Sequence, residues 1–317
     1  MLELMLLAAL TAVPSPQGDG DLLISLSGEN RVILADSATG RTVASFAGAA
    51  GPHEIALSRD RRVAYVANAG AGPGGPAGRA LTAIDLQDRK ARQIPLPHEL
   101  PHDVRVSRDG RHAWVAVAPS RAVIEIDTRT GVLTRTFGIE REGGWFVAAT
   151  PDDRKLYVPH LEGRALTAID REAGTARAVL SGAAFSGAEV SPDGREVWAI
   201  EHEARRIHVL STSVDHEVAS ITLDATDFAR LQFSPDGRRV FVVQGRRLIA
   251  FDRASRQKTA EFTMTLAGKV IAVAPSGHRA AISNPQDGKV TIVDLERMQV
   301  LSSFTAGNAP DGVAWVK

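Results

Sequence analysis

Five of the nine histidines, His53, His98, His102, His160 and His202, stand close in sequence to carboxylates such as Glu54, Asp103 and Glu201. Neutral imidazoles with carboxylates nearby suit zinc, copper, nickel or iron, so a divalent metal held by His53, His102 and His160 is the sharpest chemistry on offer. The plainer reading is that each imidazole hydrogen-bonds a neighbouring loop. His98-Glu99-Leu100-Pro101-His102 matches the string H-E-x-x-H. That motif needs a helix to bring both imidazoles to one side, and Pro101 denies it one. No Gly-x-Ser-x-Gly elbow, phosphate-binding Gly-x-x-x-x-Gly-Lys or dinucleotide fingerprint is present. The chain has no cysteine, which removes disulfides, thiolate zinc sites and cysteine nucleophiles.

The elements that position these residues are marked by a repeated turn. Ser191-Pro192-Asp193-Gly194-Arg195 returns as Ser234-Pro235-Asp236-Gly237-Arg238, with looser copies beginning at Ser58, Ser107, Thr150 and Ala274. The spacing is roughly 40 residues, the period of a propeller blade. Each unit holds four short runs rich in Val, Ile, Leu, Phe and Trp between Gly, Pro and Asp, which predicts strands A to D. In the unit around Ser191 these are Gly187 to Ser191, Glu196 to Ile200, Arg206 to Leu210 and Glu217 to Leu223. Asp109, Asp193 and Asp236 precede Gly in tight AB turns, where Asp accepts from backbone donors and Gly supplies positive φ. Asp36, Asp85, Asp127, Asp170, Asp252 and Asp294 close strand C and cap the CD turn. Carboxylates that recur in nearly every unit build the unit.

The chain stops after Asp311-Gly312-Val313-Ala314-Trp315-Val316-Lys317, a strand A without its turn. Leu22 to Leu26, Arg31 to Ala35 and Arg41 to Ala47 supply strands B, C and D at the other end. The expected fold is therefore all-β: a seven-bladed β-propeller of four-stranded blades, closed by the C-terminal strand joining the N-terminal blade.

This topology puts the AB and CD turns on one face, and the DA and BC loops on the other, where the channel has its mouth. The residues just before the A strands, at their heads, are His53, His102, Trp145, Ser186, Ala229, Lys269 and Asp311, chemically diverse at equivalent positions. The next position adds Glu54, Asp103 and Arg230. The ends of the B strands add Asn68, His160, Glu201 and Gln244, with His202 adjacent. Diversity at loops that converge on a channel points to a binding site, so this set forms the candidate site. Ala69 to Arg79, AGAGPGGPAGR, is a long BC loop read as a flap or a neutral insertion.

Three features together carry a family resemblance: the Ser-Pro-Asp-Gly-Arg turn, an aromatic strand such as Val63-Ala64-Tyr65-Val66-Ala67-Asn68, and the strand C ending Ile-Asp-x-x-Thr-Gly. From Asp21 to Lys317 the chain resembles the YVTN or YncE-like seven-bladed propellers. It departs from their pattern at Arg61 and Asp153, which replace Gly, at Ser276, which replaces Asp, and at Ser211, which replaces the strand C Asp. The resemblance implies a binding or scaffold propeller, or else an enzyme or enzyme subunit: a lactonase-like hydrolase or a component of a cofactor-linked dehydrogenase.

Met1 to Val13, MLELMLLAALTAV, followed by Pro14-Ser15-Pro16, reads as a secretory signal, so residues 1–20 are expected to be a leader and 21–317 one domain of the periplasm or extracellular space. With 37 basic and 37 acidic residues there is no global field to draw the protein to nucleic acid or an anionic membrane. The expected partner is a small molecule or a protein at the mouth face of a monomer, with no membrane span after signal removal and no cofactor beyond the possible metal.

Overall fold

The computed structural model describes residues 20–70, 75–224 and 229–316. The short β-branched runs and their turns form seven four-stranded antiparallel sheets, the blades of one closed ring. In blade 5, strands A to D are Phe185–Val190, Glu196–Glu201, Arg206–Ser211 and His216–Thr222. The leader expected over residues 1–20 lies almost wholly outside the described residues. Among the described residues no helix is long and apolar enough to cross a membrane.

Blade 1 takes its inner strand, Pro310–Trp315, from the C-terminus and its other three, Asp21–Leu26, Arg31–Asp36 and Thr42–Ala47, from the N-terminus. Leu22 pairs with Trp315, Leu23 with Ala314 and Ile24 with Val313. The Trp315 indole is buried and donates to the Ala272 carbonyl of blade 7 at 2.7 Å, so the closing strand also fastens its neighbour. This leaves no open edge at the joint.

The turns bear out their sequence reading. In the AB turn of blade 5, Ser191 Oγ donates to Asp193 Oδ1 (2.7 Å), which accepts from the Arg195 amide (3.1 Å), while Gly194 sits at φ +74°. Where glycine is missing, Arg61 and Asp153 still adopt positive φ, 55° and 61°. Each then uses its side chain across blades. Arg61 donates to the Trp315 carbonyl at 2.7 Å, and Asp153 accepts from the Arg108 amide at 2.8 Å. These contacts offset a backbone strain of about 1–2 kcal/mol. All six strand C aspartates accept backbone amides in their CD turns, as Asp127 does from Thr130 at 2.7 Å.

Seven apolar clusters fill the spaces between adjacent blades. Counting His53, His102, Trp145, Ser186, Ala229, Lys269 and Asp311 as first positions, the third, Ile55, Val104, Val147, Ala188, Leu231, Ile271 or Val313, enters one of them. Strand alternation then turns the second and fourth residues toward the channel.

Candidate functional site

The mouth of the channel opens into a cavity of about 590 Å³. Its polar base comes from strand A heads and their neighbours, His53, His102, Ser186, Arg230 and Lys269, and its wall from Leu100, Trp145, Phe146, Pro159, Leu161 and Phe185. The two ends of the long BC loop, Ala69–Gly70 and Gly75–Ala77, complete the rim. Strand B of that blade runs to Gly70 and strand C starts at Ala77, so the insertion lengthens a hairpin; its tip, 71–74, lies outside the described residues.

Asp311, 3% exposed, ties this base together. Its Oδ2 lies 2.7 Å from His53 Nδ1 and accepts from Lys269 Nζ at 2.8 Å. Burial disfavours the charged carboxylate, but His53 and Lys269 outweigh it and hold the Asp311 pKa below the usual range. The His53 and His102 rings lie tilted by 33° with centroids 4.5 Å apart, and His102 makes T-shaped contacts with Phe146 (4.9 Å) and Trp145 (5.5 Å). Burial, reinforced by His53, pushes His102 down to about 3, so it is neutral near pH 7. The Arg230 guanidinium lies 3.7 Å above the Phe146 ring and donates to the Ser186 carbonyl. Burial lowers it to about 10, with Glu54, Asp103 and Asp311 opposing. It remains a cation.

Phe146 and Arg230 also line a second cavity deeper in the channel, about 330 Å³, whose walls carry Glu54, Asp103, Arg105, Glu189 and Gln232. Arg105 lies 3.3 Å from Glu189 and 3.8 Å from Asp103. Asp103 also accepts the amides of Val104 (2.8 Å) and Val147 (3.0 Å), binding blade 3 to blade 4. Burial raises Asp103 and Glu189, with Arg105 opposing, and raises Glu54 to about 7, where Asp103 and Asp311 add to the effect. Phe146, Arg105, Glu189 and Gln232 escaped the sequence reading, which stopped at the first two positions of selected strands. Phe146 is a second residue; Arg105, Glu189 and Gln232 are fourth residues, and period-two alternation from Glu54, Asp103 and Arg230 is the signal that finds them.

The B-strand ends behave differently. Asn68 donates to Thr82 Oγ1 (2.9 Å), His160 Nε2 pairs with Thr167 Oγ1 (2.9 Å), Glu201 with His208 Nε2 (2.8 Å), and Asn284 accepts from Thr291 Oγ1 (2.7 Å). Each pair joins strand B to strand C inside one blade. Asn68, His160 and Glu201 are not part of the cavity lining, nor is Gln244, which is buried in its own blade. His202, half-buried, holds the Ala184 carbonyl through its amide at 2.8 Å. Of the metal candidates, His53 and His102 meet at the cavity base, whereas His160 is fully buried and its other nitrogen contacts the Glu142 carbonyl at 2.9 Å. Among the described residues no three His, Cys, Asp or Glu side chains are placed to hold a metal ion. His98 lies in a loop, against Ser120 Oγ at 2.9 Å, without the helix that H-E-x-x-H needs.

No family model matches the chain, and no curated protein matches it by sequence. Solved structures do. The periplasmic gluconolactonase PpgL of Pseudomonas aeruginosa superposes with a TM-score of 0.74 at 19% identity, over 92% of this chain and 98% of that one. A functionally unknown protein from Desulfotomaculum acetoxidans gives 0.79 at 14%, over 93% and 98%. Hydrazine synthase of Kuenenia stuttgartiensis gives 0.72 at 17%, over 92% and 99%. At these identities the likeness is one of fold, and the chain is a seven-bladed β-propeller.

Proposed function

We propose that the protein binds a small organic molecule at the channel mouth, as a monomeric YVTN-like propeller of the periplasm or extracellular space. The observation that carries this is the mouth cavity itself, with an aromatic and aliphatic wall over a base of a few convergent polar groups. Its volume, about 590 Å³, suits a drug-sized molecule. The apolar leader sequence and the periplasmic location in the name of one structural neighbour support export. A thermal-shift screen of purified protein against small organic molecules tests the reading. Hits should lose about tenfold in affinity in Trp145→Ala, the largest aromatic contact available. Hits indifferent to Trp145 would defeat it.

A hydrolase is the second reading, and the His53–Asp311 contact favours it. A carboxylate 2.7 Å from Nδ1 is placed to orient the imidazole as a general base acting through Nε2, and His53 lines the cavity. Hydrolysis of lactones or activated esters that disappears in His53→Ala, with folding intact, would support it. Equal rates in both proteins would remove it.

A further inference from the structure

We infer that the ligand of the mouth cavity is an amphipathic organic anion, an apolar or aromatic body carrying a carboxylate or sulfonate. This rests on the binding reading above and specifies its ligand class.

The argument begins with what the lining contains. Its charged side chains are Lys269 and Arg230, and neither Asp nor Glu contributes to it. Asp311 balances part of this charge, but it is 3% exposed and lies behind the base, whereas the Lys269 side chain is 33% exposed. An incoming molecule therefore meets the ammonium first. An ammonium has three donors, and Asp311 Oδ2 takes one of them at 2.8 Å, leaving N–H groups for a ligand. Arg230 is held at the cavity floor over Phe146, so a second cation borders the same space. Burial lowers the Arg230 pKa and Glu54, Asp103 and Asp311 oppose that shift, so it stays a cation beside the cavity.

The wall fixes the rest of the molecule. Trp145, Phe146, Phe185, Leu100, Leu161 and Pro159 offer aromatic and aliphatic surface with few hydrogen-bonding groups. A polyhydroxylated body would lose water there without finding replacement partners. An apolar body gains from burial, with the aromatic faces supplying much of the contact. A cation would be repelled by Lys269 and Arg230.

Two fluorescent probes that share an N-phenylnaphthylamine body test the inference: anionic anilinonaphthalene sulfonate and neutral N-phenylnaphthylamine. Both brighten in an apolar site. The wild type should bind the sulfonate about tenfold more tightly than the amine, the scale of one partly desolvated charge-assisted contact. Lys269→Met should erase most of that preference while leaving the amine within about twofold, and Arg230→Gln should act in the same direction. Trp145→Ala should weaken both probes. If the wild type binds both equally, at a site sensitive to Trp145→Ala, the anion inference is overturned and the binding reading stands. If neither probe responds to Trp145→Ala, both fall. An anion preference that survives in both cation variants would place the charge contact elsewhere and also overturn the inference. The wild-type ratio needs no variant, so misfolding of one substitution does not remove the test.

Discussion

Two sets of residues share the mouth face and vary in chemistry from blade to blade: the heads of the A strands and the ends of the B strands. Only the first set contributes polar side chains to the cavity; the B-strand ends give it apolar residues such as Ala69 and Pro159. Strand A has a partner on one side and the channel on the other, so His53, His102, Trp145 and Lys269 open onto free space. Strand B is flanked by A and C, and a polar side chain at its end is enclosed within the blade and must find a partner there. Asn68–Thr82, His160–Thr167, Glu201–His208 and Asn284–Thr291 are four different answers to that one requirement. Variation thus signals a site in one set and interchangeable hydrogen-bonded pairs in the other.

The strand that belongs to both closure and site gives the largest expected effect. Deleting Asp311 to Lys317 removes Val313 and the buried Trp315 and bares the edge of Leu22 to Leu26. The loss should be at least several kcal/mol by comparison with truncated core side chains, and ligand binding should vanish with it. Urea unfolding at an unchanged midpoint would refute the closure.

A smaller effect separates the two sets. His160→Ala empties a fully buried position and leaves Thr167 Oγ1 and the Glu142 carbonyl without their imidazole. It should destabilise the protein by about 2–3 kcal/mol, the range for a buried group lost together with its hydrogen bonds. Probe affinity should stay unchanged. Trp145→Ala should do the reverse. A His160→Ala protein that is fully stable but cannot bind ligand would return the B-strand ends to the site.

The contrast also marks how far the chain could be read before its coordinates. Turn chemistry is local: Ser191, Asp193 and Gly194 satisfy one another within a few residues, so the repeat, the blade count and the closing strand were legible. The cavity base was legible in outline because the turn register fixes which residue heads each strand A. What could not be read was the direction of a side chain at a strand end, since it depends on whether another strand lies beside it. His53 and His160 look alike in sequence for that reason. The deeper layer of Arg105, Glu189 and Gln232 was hidden among alanines at the equivalent positions, Ala56, Ala148, Ala272 and Ala314.

The smallest expected effect concerns the channel set alone and its dependence on pH. Glu54, at the second position of its strand, is raised from 4.5 to about 7, chiefly by burial and then by Asp103 and Asp311. Its folded-state pKa exceeds its unfolded one, so the folded protein holds the proton more tightly. That contribution is complete below about pH 4.5 and is lost as the pH rises through about 7. Glu54 is half-buried beside an open channel, which reduces the effect to about 1–2 kcal/mol. His102 works in the opposite sense. Its pKa falls from 6.5 to about 3, so its contribution is present above about 6.5 and lost as the pH drops toward 3. Between these limits the two slopes partly cancel in the wild type, and single variants uncover them. Relative to the wild type, Glu54→Gln should gain stability as the pH is raised, and His102→Phe should gain it as the pH is lowered, both read from urea midpoints across the range. Differences that stay flat with pH would mean that neither group titrates in the channel as its surroundings require.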